Sequence, residues 1–224
     1  MNLQCSKISK SYSDSEDKEN TILNSIDLDI NNGESLAIMG PSGSGKTTLL
    51  KILGLLEPYS LGSYLIDNED MSQLNEDKAA FYRNQHIGFI FQNHRLLPQC
   101  TMLENILLPT IVTNNPNHDS HERAMHFMKR LGIEKLSDHF PNELSGGESQ
   151  RATLVRALIN KPKIILADEP TGALDYENAH NLASILIELT REENIALVMA
   201  THAEKIAEQC GQIKHLKNGM LIKP

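Results

Sequence analysis

The chain has no tryptophan, and aromatic residues make up only 4% of its 224 positions. Its three cysteines, Cys5, Cys100 and Cys210, stand far apart. With an odd count and no CxxC pair, they read as free thiols in a reducing compartment rather than as a disulfide framework. Basic charge is not in excess: the formal net charge is -8. That argues against a broad nucleic-acid-binding face. It does not exclude one anionic ligand, because distant surface charges are screened beyond roughly 8 Å at physiological salt. No stretch approaches the ~20 apolar residues that span a bilayer. The longest candidates, such as Ile106 to Val112, are short and contain Pro109. The N-terminus lacks a basic segment followed by an apolar run, so no secretory signal is expected. A role at a membrane would therefore need a membrane partner.

What remains is ordinary for a soluble globular protein: 40% hydrophobic and 22% charged residues. The length fits one domain or two small ones. A chain of this size buries roughly 70% of its unfolded surface, enough for a real core.

Gly40-Pro41-Ser42-Gly43-Ser44-Gly45-Lys46-Thr47 fits the phosphate-binding pattern G-x-x-x-x-G-K-[ST] at every position. Ser35 to Met39 before it is short and apolar, as a buried strand is. Thr48 to Leu53 after it has the composition of a helix start. The glycines let successive backbone amides turn inward toward an anion. The helix start adds unpaired N–H groups and the positive end of a dipole. Lys46 is expected to reach the β- and γ-phosphates, and the Thr47 hydroxyl to ligate Mg²⁺.

Taken in order, residues 1 to 39 read as strands. Ile26, Leu28 and Ile30 alternate with Asp27 and Asp29. Ser13 to Asn20 is a solvated acidic loop, and Asn31-Asn32-Gly33 a turn. A helix is expected from about Gly45 to Leu56, ended by Pro58, then a strand over Ser63 to Ile66. An exposed helix follows over Asn75 to Asn84, and a buried strand over Ile87 to Phe91. Thr101 to Leu108 and His121 to Leu131 carry helical apolar spacing, with a turn at Asn114 to Asn117. Another amphipathic helix runs from Ser149 to Ile159. Ile164 to Ala167 and Ile195 to Ala200 are buried strands flanking a helix over Glu177 to Arg191. Gln212 to Ile222 resembles a hairpin. Strand–helix alternation with strongly apolar strands implies a mostly parallel sheet covered on both faces. The division expected is a single domain, 1-224. Its nucleotide-binding core is 1-91 and 161-224, and a helical subdomain, 92-160, is inserted. His118, His121 and His126 read as a polar helix face, and Met125 and Met128 as core filling.

Two further motifs carry chemistry. Ile164 to Ala167 ends in Asp168-Glu169. Asp168 can hold Mg²⁺, and Glu169 can accept a proton from, or orient, an attacking water. The alternative is a surface pair of acids after a strand. Leu144-Ser145-Gly146-Gly147-Glu148 stands before an amphipathic helix. It is either a plain helix cap or a second anion site. One chain rarely points two such helix starts at a single nucleotide.

The phosphate loop, Gln92, Leu144 to Glu148, Asp168-Glu169, Gly172-Ala173-Leu174-Asp175 and His202 together resemble the ATP-binding subunit of an ABC transporter. The resemblance runs over nearly the whole chain in the family's order. It implies the α/β P-loop NTPase fold of ABC ATPases: a mostly parallel core, N-terminal antiparallel strands and an inserted helical subdomain. It implies ATP and Mg²⁺ as ligands, with the loop contacts extended to Thr48. It also implies a head-to-tail homodimer, each ATP lying between one copy's phosphate loop and the other's Ser145-Gly146-Gly147-Glu148. By the same resemblance Tyr12 stacks on adenine. Gln92 touches Mg²⁺ and the attacking water, His202 meets the γ-phosphate, and Asp175 acts between subunits. Glu148 stands where glutamine is commoner in the family.

Gln92 to Pro98, Thr101 to Ile106, Leu108-Pro109 and Ala167 to Asp175 resemble the LolD-like (lipoprotein-releasing) and MacB-like (export) ATPases. FtsE-like division ATPases are close relatives. Such subunits pair with a separate permease at the cytoplasmic face of the bacterial inner membrane, and bind no nucleic acid. The segment around Arg95 to Leu108 would receive the permease. Two rivals are an FtsE-like regulatory ATPase that transports nothing and a soluble ABC-type ATPase. The soluble class normally carries coiled coils, zinc modules or tandem ATPase domains, none of which is seen here.

Overall fold

The computed structural model describes residues 2–13, 19–112, 118–172 and 174–222. The expected turn at Asn114 to Asn117 and most of the acidic loop at Ser13 to Asn20 lie outside the described residues.

Two sheets form the frame. The first is antiparallel, in the order β2-β1-β4-β5. It is built from β1 (Asn2–Ser13), β2 (Glu19–Asn31), β4 (Leu61–Ile66) and β5 (Glu69–Asp70). The second holds β3 (Ser35–Met39), β6 (Ile87–Ile90), β7 (Ile164–Asp168), β8 (Ala196–Thr201), β9 (Gln212–Lys217) and β10 (Met220–Ile222). Its order is β10-β9-β3-β8-β7-β6. All neighbours in it are parallel except the terminal β9–β10 hairpin.

Alternation along the parallel strands sends side chains to two separate cores. Ala37, Ile165, Ala167, Leu197 and Met199 enter one. Leu36, Ile38, Ile164, Leu166, Val198 and Ala200 enter the other. The first core takes the apolar faces of α3 (Met102–Leu107), α4 (His118–Arg130), α5 (Gly146–Leu158) and α6 (Tyr176–Glu192). The second takes α1 (Lys46–Leu53) and the buried residues of the antiparallel sheet, such as Leu3, Ile8 and Ile26. Covering both faces explains why these strands are apolar throughout rather than alternating.

Several boundaries differ from expectation. α1 stops at Leu53, because Leu55 takes a positive φ of 55° and the chain turns back, the Leu55 and Leu56 N–H groups donating to the Ile52 and Lys51 carbonyls at 3.0 and 2.8 Å. Pro58 therefore lies beyond the stop and does not cause it. α2 (Glu76–His86) runs past Asn84, with Asn75 as its cap. α5 begins three residues before Ser149, since Ser145 caps it. Short elements such as β5 and α7 (Glu204–Ala207) carry too few residues to show a period. Among the described residues no helix is long and apolar enough to cross a membrane. Cys5 and Cys210 are buried thiols and Cys100 is half-buried. His121 and His126 are exposed on α4, while Met128 is buried in the core.

Gly88 marks where α5 lies directly on β6. A Cβ there would sit 2.4 Å from the Ala157 carbonyl oxygen, backbone against backbone. Gly88→Ala should therefore destabilise the fold by about 1–3 kcal/mol through forced overpacking. A urea titration showing an unchanged midpoint would contradict this packing.

Candidate active site

Parallel strands deliver their C-terminal ends to one edge of a sheet, where ligands bind in such folds. The register here does that for three motifs. Met39 pairs with Thr201, and Ala200 pairs with Asp168. The next residues along these strands, Gly40, His202 and Glu169, therefore emerge side by side. Ile90 pairs with Ala167, which brings Gln92 to the same edge.

Gly40 has no room for a side chain: a Cβ would lie 2.5 Å from the Leu216 carbonyl oxygen. Gly45 caps α1 at φ 103°, a left-handed conformation that L side chains avoid. No side chain caps α1, and its first turn holds no acid, so its leading N–H groups carry the dipole's positive end unopposed. Lys46 is 8% exposed, and its ammonium donates to the Gly40 and Pro41 carbonyls at 2.7 and 3.1 Å. It folds back across the loop it belongs to. The Ser44 hydroxyl is buried without a hydrogen-bond partner among the described residues.

The Thr47 hydroxyl donates to the Asp168 carboxylate at 2.8 Å across 121 residues of sequence. Burial and the neighbouring Glu169 push the Asp168 carboxyl above its ordinary range, although Thr47, Lys46 and Lys51 oppose them. Glu169 sits at φ 47°, unusual for a residue with a Cβ and a conformation found at functional sites. Its N–H donates to the Ala200 carbonyl at 2.9 Å, and its carbonyl accepts from Gly172 at 3.1 Å. Its side chain meets His202 Nδ1 at 2.9 Å. A carboxylate only accepts, so Nδ1 carries the proton in that contact. The carboxylate is 12% exposed and the imidazole 70%.

These groups line a cavity of about 390 Å³. Ser42, Gly43, Gly45, Lys46, Thr47 and Thr48 of the loop and helix start line it, together with Gln92, Asp168, Glu169 and His202 and with Tyr12 and Ile22. Ile22 gave no signal in the sequence. Neither did the side chains that hold the segment after Gln92. Arg156, half-buried on α5, donates to the His94 and Arg95 carbonyls at 2.8 Å each. Asn105, fully buried, binds the Leu97, Cys100 and Thr101 carbonyls and accepts from the Leu97 N–H. A polar residue on the buried face of an apolar helix was the available clue for Asn105.

Ser145, Gly146, Gly147, Glu148 and Asp175 do not line this cavity. Ser145 and Glu148 form a reciprocal cap on α5: the Ser145 hydroxyl accepts from the Glu148 N–H, and the Glu148 carboxylate accepts from the Ser145 N–H at 2.8 Å. Hydrogen bonds from Ser145 hold the Glu148 carboxyl below the usual range. A Cβ on Gly146 would meet nothing within 4 Å. Gly147 lies near Leu174, and Asp175 caps α6 by accepting from the Asn178 N–H at 3.0 Å. Ser145→Ala should cost about 1 kcal/mol as a lost helix cap. A denaturant midpoint at the natural value would show that the cap bears no load.

The ABC transporter family model matches residues 23–172. The lipoprotein-releasing system ATP-binding protein LolD of Idiomarina loihiensis is 41% identical over 221 residues, 99% of this chain and 96% of that protein. The bacitracin export ATP-binding protein BceA of Halalkalibacterium halodurans is 42% identical over 98% of this chain and 86% of its own. The dimeric structure of the ABC transporter cassette MJ0796 superposes with a TM-score of 0.90 at 37% identity, covering 99% of this chain and 97% of that one. A second structure of that cassette, dimeric in a post-hydrolysis state with ADP and Pi, also gives 0.90, at 36% identity. Family, relatives and structures agree with the motifs on the sheet edge, and the chain belongs to the ABC transporter family as an ATP-binding, ATP-hydrolysing subunit.

Proposed function

We propose that two copies of this chain pair head to tail around two MgATP and that their closure drives a separate membrane permease. The substrate class is a lipoprotein to be released or a lipophilic molecule to be exported, from the cytoplasmic face of a bacterial inner membrane. The observation that carries this reading is the presence of two separate anion-receptive helix starts on one chain. The start of α1 faces the cavity, and the start of α5 lies outside it. A second copy's Ser145-Gly146-Gly147 closing over the first copy's phosphate loop gives both a ligand. The dimeric structures of the MJ0796 cassette support that arrangement. Relatives named for lipoprotein release support the first substrate class, and the bacitracin export relative supports the second.

Within the cavity, the loop amides from Ser42 to Thr48 hold the triphosphate. Lys46 spends two of its three N–H groups on carbonyls, leaving one for a phosphate oxygen. Tyr12 stacks on the adenine. Thr47, Asp168 and Gln92 offer only oxygen donors, which suits Mg²⁺ better than a softer metal. Magnesium held there supplies charge neutralisation on the phosphates. Glu169 takes or orients the proton of the attacking water, and His202 holds the Glu169 carboxylate from its Nδ1 face while meeting the γ-phosphate. Residues 92-160 form the subdomain that reports to the permease, and 1-91 with 161-224 the nucleotide core.

The test is a capture of the membrane partner. Glu169→Gln with MgATP is incubated with detergent-solubilised membranes, purified, and its companions identified by mass spectrometry. A permease with few spans and a large extracytoplasmic domain is expected. An ATP-bound dimer that brings no membrane protein would overturn the transporter role.

A further inference from the structure

Tyr12 brings a phenol ring to the cavity from the end of β1, and it is 40% exposed. An exposed ring at a strand end has several staggered positions open to it. Here its hydroxyl is anchored. It donates to Glu57 Oε1, a residue 45 positions away in the segment that follows α1. Glu57 in turn is held by Lys10, whose ammonium lies 3.2 Å from the same carboxylate oxygen. Lys10 also donates to the Pro58 carbonyl at 2.8 Å and sits 4.9 Å from the Tyr12 ring centroid.

This is a shielded cluster rather than a surface pair. The Lys10 and Glu57 side chains are 11% and 17% exposed. Burial raises the Glu57 carboxyl, but the hydrogen bonds from Tyr12 and Lys10 outweigh it and hold the group below its ordinary range. Glu57 therefore stays an ionised acceptor for the phenol at neutral pH. Neither Glu57 nor Lys10 lines the cavity.

We propose that Glu57, backed by Lys10, is a positioning residue for nucleotide base recognition: it fixes the Tyr12 ring and ties it to the segment that follows α1, the helix whose start cradles the phosphates. The inference rests on reading the cavity as an ATP site with Tyr12 at the adenine. A ring held in its stacking orientation before the ligand arrives loses less freedom on binding. Without Glu57 the ring samples its other positions, and the base is bound more weakly. The phosphates, held by the loop, are unaffected.

The full chain is titrated by calorimetry with MgATP and, separately, with magnesium tripolyphosphate, which has the phosphates but no base. Glu57→Ala should weaken ATP about three- to tenfold, the worth of one hydrogen bond, and leave tripolyphosphate unchanged. Glu57→Gln, whose side-chain carbonyl still accepts from the phenol, should recover most of that loss. Tyr12→Phe should match Glu57→Ala, and the double variant should be no weaker than either, because both remove the same bond. Parallel weakening of both ligands, additive losses in the double variant, or no change in Glu57→Ala would overturn the positioning role. Tyr12→Ala with natural ATP affinity would instead remove the adenine contact on which it rests. A natural chain that binds neither ligand would remove the nucleotide site itself.

Discussion

Glu169→Gln should bind MgATP as the natural chain does and hydrolyse it about 10²–10⁴-fold more slowly, the usual loss when a positioned proton acceptor is removed. The substitution is nearly isosteric, so packing should not change. The backbone that sets the residue's unusual φ of 47° is pinned by the Ala200 and Gly172 bonds, which a glutamine keeps. The amide can still pair with His202 at the position the carboxylate holds, 2.9 Å from Nδ1. What is lost is a carboxylate able to take a proton. Phosphate release at saturating ATP measures the rate, and calorimetric titration measures the binding. Turnover at the natural rate would remove Glu169 from the chemistry.

Lys46→Ala should weaken MgATP binding by about 10- to 100-fold, the range expected for a charged hydrogen bond lost from a shielded site. The residue is 8% exposed, and its ammonium lies against the Gly40 and Pro41 carbonyls. Removing it therefore deletes a charge from the cavity and two donors from the loop. Lys46→Met separates the effects, since it keeps the packed stem and loses only the ammonium. Both variants should fold, and thermal unfolding without nucleotide checks that. Natural affinity in Lys46→Met would contradict the placing of this lysine at the phosphates.

The parts of the site legible in the sequence are those whose chemistry is local. Gly40 to Thr47 is a contiguous run between an apolar strand and a helix, and its meaning depends on nothing distant. Asp168-Glu169 at a strand end is similar. The union of these runs is a different matter. Thr47 meets Asp168 only because β3, β8 and β7 are neighbours in that order and in that register. No spacing along the chain states a strand order, and the order is seen only in the fold. Supports are harder still. Arg156 and Glu57 act on residues 45 to 62 positions away, and Asn105 on loop carbonyls that no pattern marks, so each looks like an ordinary polar residue in its own segment. The end of α1 differs from expectation for a physical reason as well: Pro58 is a strong stop signal, but the left-handed turn at Leu55 ends the helix first. The cap at Ser145 shows the reverse case. Ser-Gly-Gly-Glu could be read as a cap or as an anion site, and the cap is present in the fold. A cap of this kind leaves Gly146 open to solvent, so it does not exclude the second role.

The central claim is that ATP joins two copies of this chain. Light scattering on purified Glu169→Gln tests it most directly, with the mass read with and without MgATP. The account predicts one chain without nucleotide and two chains with it, binding two ATP, and a return to one chain when Ser145 is replaced by a bulky residue such as arginine. A mass that stays at one chain while each chain binds ATP fully would contradict it.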